Sequence, residues 1–332
     1  MAFKQLLLAS VALLATTLTI YLATQTPASN KKYLSAFLAH KQRFGKTHAN
    51  QTELSYRLAV YAQNMRFIEA HNQKGKSFTC GENMFTDMTF SEFSSKYLTT
   101  IPVKANIGQL TVGEQRTGNV DWVEAGKVSP VKNQKACGSC WAFSATGSME
   151  AAYRIFKNKE LEFSEQELVD CSSSYGNHGC NGGIMSMAFD YVEDKELSQE
   201  SEYRYTARKG HCRAKDFDTR YGIADYSGID PVDVNGLMSA LDQQPVSVAI
   251  EVQQDFMHYE SGVYESGDED CGESLNHGVL AVGYNSGNGD DWFKVKNSWS
   301  SMWGEEGYVR MRIGSGAGTC GIANGAAVYP TL

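Results

Sequence analysis

Cys140 is the residue best placed to do chemistry. It ends the run Gln134-Lys-Ala-Cys-Gly-Ser-Cys140 and precedes Trp141-Ala-Phe-Ser144, at the predicted start of a helix. The first turn of a helix carries unpaired backbone N–H groups and the positive end of the dipole, which favours a thiolate over a thiol. A thiolate nucleophile needs a base, a group that orients the base, and donors for the oxyanion that forms at the attacked carbonyl. Beyond residue 113 the histidines are His178, His211, His258 and His277. His277, in Leu-Asn-His-Gly-Val-Leu-Ala-Val-Gly-Tyr, stands at the edge of a buried-looking strand. Rigid strand edges hold reactive groups well. Asn297 follows twenty residues later in Asn-Ser-Trp-Ser-Ser-Met-Trp-Gly, with an amide oxygen suited to accept an imidazole N–H. Gln134 can turn its amide NH₂ toward an oxyanion, together with the Cys140 backbone N–H. By residue type alone, Cys137-x-x-Cys140 also fits half a zinc site, a redox pair or a structural bridge. A zinc site needs a second close pair, and no other CxxC exists.

The elements that must carry these groups differ along the chain. Trp141, Ala145, Met149, Ala152, Tyr153 and Phe156 trace a helical stripe after Cys140. Residues 244–252, 278–284, 292–297 and 307–313 are rich in β-branched and aromatic residues with Gly or Pro at their edges, and read as strands. Helix first and strands later predicts an α+β fold of two subdomains with a cleft between them. Upstream, residues 30–44 and 53–72 lack Gly and Pro and predict helices. Arg57, Tyr61, Asn64, Ile68 and Asn72 recur at steps of four, three, four and four, so they share one face. Asparagine is a poor helix former, so two on that face point to specific hydrogen bonds. Residues 101–118 form a Gly/Thr/Gln-rich stretch without periodicity. That is a linker signal, open to proteolytic nicking.

Composition sets further bounds. The chain has 332 residues, 42% hydrophobic and 20% charged, with net charge −8. That balance is ordinary for a globular protein and argues against nucleic acid as a partner. Residues 29–112 carry 11 Lys plus Arg against 5 Asp plus Glu, and residues 113–332 carry 18 against 33. A basic segment ahead of an acidic one suggests two attracting parts whose grip weakens as acid protonates carboxylates. Lys4 followed by apolar residues 6–15 predicts a removed signal peptide over residues 1–28, hence no membrane attachment afterwards. Eight cysteines behind a signal peptide imply disulfides. With Cys140 as nucleophile and Cys80 left over, six cysteines remain. Sequence alone allows 15 pairings of them. Asn50-Gln-Thr is a glycosylation sequon.

Gln-x-x-Cys-Gly-Ser-Cys-Trp-Ala-Phe-Ser, Gly-Cys-Asn-Gly-Gly, Asn-His-Gly-Val and Asn-Ser-Trp, in that order, resemble the papain-like cysteine peptidases. That family's cysteine signature and downstream His/Asn spacing are well defined. Upstream, Glu53, Arg57, Val60, Tyr61, Asn64, Ile68 and Asn72 resemble the ERFNIN pattern of cathepsin-L-like propeptides, with Tyr for the usual Phe. Gly81-x-Asn-x-Phe-x-Asp87 resembles the second propeptide motif. The resemblance implies a papain-like fold, with a helical and a β-barrel-like subdomain preceded by a helical propeptide. It implies an inhibitory propeptide over 29–112, a peptidase domain over 113–332 and processing within about 113–119. Cys140 and His277 are then a thiolate–imidazolium pair, Asn297 orients His277, Gln134 stabilises the oxyanion, and Trp299 shields the His–Asn bond. The implied bridges are Cys137–Cys180, Cys171–Cys212 and Cys271–Cys320. Gly182 and Gly183 would let substrate backbone approach, and Ile184, Met185, Ala249, Leu275, Gly278 and Gly325 would line an apolar S2 pocket. The expected protein is a monomeric endopeptidase of the secretory pathway, lysosomal, vacuolar or extracellular. It acts on peptides and proteins without metal or cofactor and is inhibited by its own propeptide. Two positions depart from the pattern: Lys135 and Ser300 each stand where the family usually has Gly.

Overall fold

The computed structural model describes residues 27–102, 117–229, 232–266, 271–272, 274–287 and 289–332. The predicted signal segment up to residue 26, most of the predicted linker and the start of the processing region lie outside the described residues. The described residues divide into two compact units, those up to residue 74 with 82–89, and 75–81 with those from residue 90 onward. Residues 90–102, upstream of the predicted domain boundary, therefore belong to the larger unit.

The smaller unit is helical: α1 (Ala28–Lys31), α2 (Leu34–Arg43) and α3 (Gln51–Asn72). Asn50 caps α3, its Oδ1 accepting from the Glu53 N–H at 2.9 Å. Glu53 Oε2 reaches back to accept from the Ala49 N–H at 2.7 Å. One orphan donor of the first turn and one backbone donor ahead of the cap are thereby satisfied. Phe37 of α2 packs with Leu54, Leu58 and Tyr61 of α3. The polar face of α3 holds the returning segment of residues 82–89. Asn64 Nδ2 donates to the Thr86 and Met88 carbonyls, both at 2.8 Å, and Arg57 Nη1 donates to the Asp87 carbonyl at 3.1 Å. The spaced asparagine thus satisfies backbone groups that burial would otherwise leave unpaired. Asp87 accepts from Lys46 Nζ at 2.9 Å. Burial pushes its carboxyl up, but the nearby His40 ring, 3.7 Å away, and the Lys46 ammonium outweigh that and hold it at about 2.

The larger unit is mixed. In chain order it contains β1 (Phe78–Cys80), α4 (Phe90–Tyr97), β2 (Gly118–Asp121), α5 (Cys140–Phe156), α6 (Glu165–Cys171), α7 (Met185–Lys195), β3 (Asp225–Gly228) and α8 (Val234–Leu241). Then follow β4 (Val246–Ile250), α9 (Gln254–Met257), β5 (Tyr259–Tyr264), β6 (His277–Ser286), β7 (Trp292–Lys296), β8 (Tyr308–Arg312) and β9 (Val328–Thr331). The strands run in the order β1-β5-β8-β7-β6-β4-β9-β3, with β2 also on β6. Among the described strands, only β5 and β8 pair in parallel. All residues of α5 from Cys140 to Tyr153 are buried, so this helix is the centre of a layer rather than a surface helix. Phe156, the last residue of the predicted stripe, is 55% exposed because the helix ends there. Between α5 and α7 lies an apolar core containing Trp141, Met149, Phe163, Met185 and Phe189. On the other side α5 meets the sheet, where Ser144 Oγ donates to the Val279 carbonyl at 2.6 Å.

The depressed Asp87 carboxyl makes the smaller unit's stability depend on pH with a definite sign. Its contribution is complete above the unfolded pKa of ~3.9. It is lost as pH falls through the folded value of about 2. Asp87→Asn is expected to cost on the order of 2–3 kcal/mol at neutral pH, read as faster amide exchange across residues 51–72 of the full chain. The gap to the unaltered chain closes as pH falls from ~4 toward ~2. A gap that stayed constant through that window would contradict this.

Candidate active site

Helix α5 and strands β6 and β7 bring the chemistry together. Cys140 is the first residue of α5, and the backbone N–H groups of Gly278, Trp141 and Cys140 itself favour a charged sulfur there. Gly278 packs directly on the helix start: a Cβ there would meet Trp141 Cα and N at 3.1 Å. His277, next to Gly278, opens β6. Its Nε2 lies 2.8 Å from Asn297 Oδ1. Continued past the Leu280–Lys296 pair, the β6–β7 register sets Asn297 opposite Val279, diagonal to His277. Trp299 stacks on the His277 ring, with centroids 4.5 Å apart at 26°. Its Nε1 donates to Gln134 Oε1 at 3.1 Å, as does Ser298 Oγ at 2.7 Å. His277 Nδ1 makes no hydrogen bond among the described residues.

The cleft around these groups is covered by residues 97–101 of the same unit. Gln134 Nε2 donates to the Tyr97 carbonyl at 2.9 Å and to the Cys137 carbonyl at 2.9 Å. Thr99 N donates to the Asn276 carbonyl at 2.8 Å, and Ile101 N to the Leu275 carbonyl at 2.9 Å. On the opposite wall, Thr99 Oγ1 donates to the Asn181 carbonyl at 3.4 Å. Any Cβ at Gly182 would collide with that same Thr99 hydroxyl. Gly183 instead backs onto the Trp141 ring. Ile101, Met185, Ala249 and Leu275 belong to one buried cluster, and Ala249 faces Gly278 across the β4–β6 ladder. Ile184 and Gly325 are buried beside them in sequence, at Met185 and Ala326.

Burial has an electrostatic result. The Cys140 thiol is pushed up to about 11 by desolvation, against its three N–H donors. Desolvation pulls the His277 imidazole down to about 4, and the bond to Asn297 only partly offsets it. Both shifts favour the uncharged forms, a thiol and an imidazole.

Three disulfides are formed: Cys137–Cys180, Cys171–Cys212 and Cys271–Cys320. The first ties the loop before Cys140 to the Gly182 loop, where Gly138 N also donates to the Cys180 carbonyl at 3.0 Å. Beneath the site, Lys132 Nζ bridges Glu150 Oε1 at 2.6 Å and Glu165 Oε1 at 2.7 Å. These groups went unread in the sequence because isolated charges carry no pattern. Lys135 and Ser300 adopt positive φ values of 53 and 71 degrees. That is the left-handed region that favours glycine.

A profile described as papain family cysteine protease matches residues 117–331, and one described as cathepsin propeptide inhibitor domain matches residues 37–93. The chain belongs to the papain family of cysteine proteases. It is 40% identical to a cathepsin L-like proteinase of Fasciola hepatica over 86% of this chain and 89% of that protein. It is 39% identical to pro-cathepsin H of Mus musculus, over 89% of each chain. The digestive procathepsin L 3 of Tenebrio molitor larval midgut superposes with a TM-score of 0.81 at 35% identity, covering 90% of this chain and 99% of that one. The protein is thus a cysteine endopeptidase carried in one chain with its own inhibitor domain, as a zymogen.

The strained backbone at Lys135 predicts a gain on reversion. Left-handed geometry costs an L-residue roughly 1–2 kcal/mol, and glycine's extra unfolded-state entropy returns about half of that. Lys135→Gly is expected to raise stability by roughly 0.5–1 kcal/mol, read as a higher melting temperature of the full chain. A lower melting temperature would contradict the strain.

Proposed function

We propose that Cys140, His277, Asn297 and Gln134 form the catalytic centre. Cys140 Sγ attacks the scissile carbonyl carbon and His277 gives a proton to the leaving amine. His277 then takes a proton from water, whose oxygen displaces the sulfur and releases the acid product. Asn297 holds the imidazole through its Nε2 side. Gln134 Nε2 and the Cys140 N–H stabilise the oxyanion, a contribution of about 3 kcal/mol per donor. The observation that carries this reading is the Tyr97 carbonyl, a peptide carbonyl held by Gln134 at 2.9 Å. The thiolate–imidazolium pair forms when the covering segment leaves and water again solvates the two charges. Gly182, with no room for a side chain under the covering segment, gives substrate backbone its close approach.

The reading extends to specificity and compartment. Ile184, Met185, Ala249, Leu275, Gly278 and Gly325 line S2, and Ile101 clustering with three of them supports a preference for Leu, Phe or Val at P2. Residues 1–28 are a cleaved signal and the peptidase starts near residue 113. The protein acts in an acidic vacuole, a lysosome or outside the cell. Its three disulfides suit an oxidising route. No described helix is long and apolar enough to cross a membrane. Asn50 is exposed and uses Oδ1 as a helix cap, which leaves its nitrogen for a glycan.

Cys140→Ala is expected to abolish cleavage of fluorogenic Phe-Arg and Leu-Arg peptides by the processed chain. A peptide library dominated by Arg at P2 would overturn the S2 assignment. The neutral pair of the covered cleft predicts slow alkylation of the unprocessed chain by iodoacetamide at pH 6, rising steadily to pH 10 as the thiol ionises. The processed chain is expected to react fast at pH 6. Equal rates for the two forms at pH 6 would contradict the account.

A further inference from the structure

The position of Gln134 depends on a hydroxyl outside every recognised motif. Tyr205 donates its phenolic proton to the Gln134 backbone carbonyl at 2.7 Å, across 71 residues of sequence. The same oxygen lies 2.6 Å from Ser139 Oγ. Its one proton is committed to Gln134, so Ser139 donates to it. Ser139 directly precedes Cys140 and sits at the N-cap position of α5, yet its side chain makes no capping bond there. Its hydroxyl is turned to Tyr205 instead. Tyr205 is itself fixed: its ring meets Phe143 of α5 edge-on at 4.9 Å, and its N–H donates to Glu200 Oε1 at 2.9 Å. The Gln134 N–H runs elsewhere, to the Ser298 carbonyl at 2.8 Å, and its side-chain oxygen accepts from Ser298 and Trp299. Tyr205 thus links the Gln134 main chain to the residue that leads into the nucleophile, alongside the Cys137 carbonyl, which accepts from Gln134 Nε2 at 2.9 Å and from Ser139 N at 2.8 Å.

We propose that Tyr205 is a positioning residue, whose hydroxyl ties the Gln134 main chain to the residue before Cys140 and so helps to fix the oxyanion donor against the nucleophile. This rests on Gln134 acting as the oxyanion donor. Ser139 and Gln134 are both fully buried, so no solvent substitutes for the phenol oxygen. A donor displaced by a fraction of an ångström binds the tetrahedral oxyanion poorly while leaving the sulfur reactive.

The test compares two reactions of Cys140 in the full-length chain after acid processing. Peptide hydrolysis passes through an oxyanion. Alkylation by iodoacetamide forms a C–S bond and expels iodide, with no oxyanion. Tyr205→Phe is expected to lower kcat for a Leu-Arg peptide about tenfold with KM and alkylation rate within about twofold. An unchanged kcat, or equal losses in both reactions, would overturn the proposal. Gln134→Ala, run in parallel, is expected to lose about a hundredfold in hydrolysis with alkylation intact. If it hydrolyses normally, the oxyanion reading fails and the proposal with it. If only Tyr205→Phe behaves normally, the positioning role alone fails. Should Tyr205→Phe not accumulate as folded protein, Ser139→Ala removes the other arm, with an expected loss in kcat of about threefold and no change in alkylation. No loss there overturns the proposal.

Discussion

Contact between Gly278 and the first turn of helix α5 sets the geometry of everything else. The cysteine belongs to the helical layer and the histidine to the sheet, and the two layers meet backbone to backbone. The atoms that a Cβ at Gly278 would strike are main-chain atoms of Trp141 and Cys140, which cannot rotate away. Trp141, wholly buried, keeps that turn from sliding, since the Gly183 backbone sits against its ring on the other side. From that contact the rest follows by register. β6 presents His277, β7 delivers Asn297 beside it, and the chain beyond β7 zips to residues 132–134 through the Gln134–Ser298 and Ser300–Lys132 backbone bonds. Interiors this dense transmit small displacements instead of absorbing them.

Much of this was legible, for identifiable reasons. Helix α3 lacks Gly and Pro and has a spaced polar face, so its extent and the importance of Asn64 were visible. The observed β4, β6, β7 and β8 lie within or close to the apolar runs that announce them. The short strands were invisible. β1 has three residues, β2 is polar, and β9 contains Pro330, a residue that argues against a strand when read in sequence. Distance in sequence hid more. Tyr205 resembles any other tyrosine until the fold brings it to Gln134. Lys132, Glu150 and Glu165 carry no periodicity, yet they form a buried ionic cluster whose partners must all be present for any to be tolerated. Ile101 fell at the edge of a stretch read as linker, because one apolar residue beside a proline carries no pattern. Its role emerges only from the cluster it joins.

The covered cleft shows two consequences of one act of burial. Residues 97–101 occupy the backbone partners on both walls. On the reading proposed above, burial beneath them also removes the stabilisation that a thiolate and an imidazolium require. Steric blocking and chemical quieting therefore share one cause.

The covering segment holds the cleft through a short set of direct bonds: the Thr99 and Ile101 amides, the Tyr97 carbonyl on Gln134, one long bond from the Thr99 hydroxyl, and an isoleucine side chain. As a separate peptide it would pay the full translational cost of association and bind weakly. Continuity with the chain supplies a local concentration in the millimolar range without any added contact. A single scission between residue 102 and strand β2 ends the covalent part of that advantage, leaving the segment tied on its upstream side through the pairing of β1 with β5. The inhibitor's strength thus resides partly in a covalent connection, and severing it makes the inhibition dilutable.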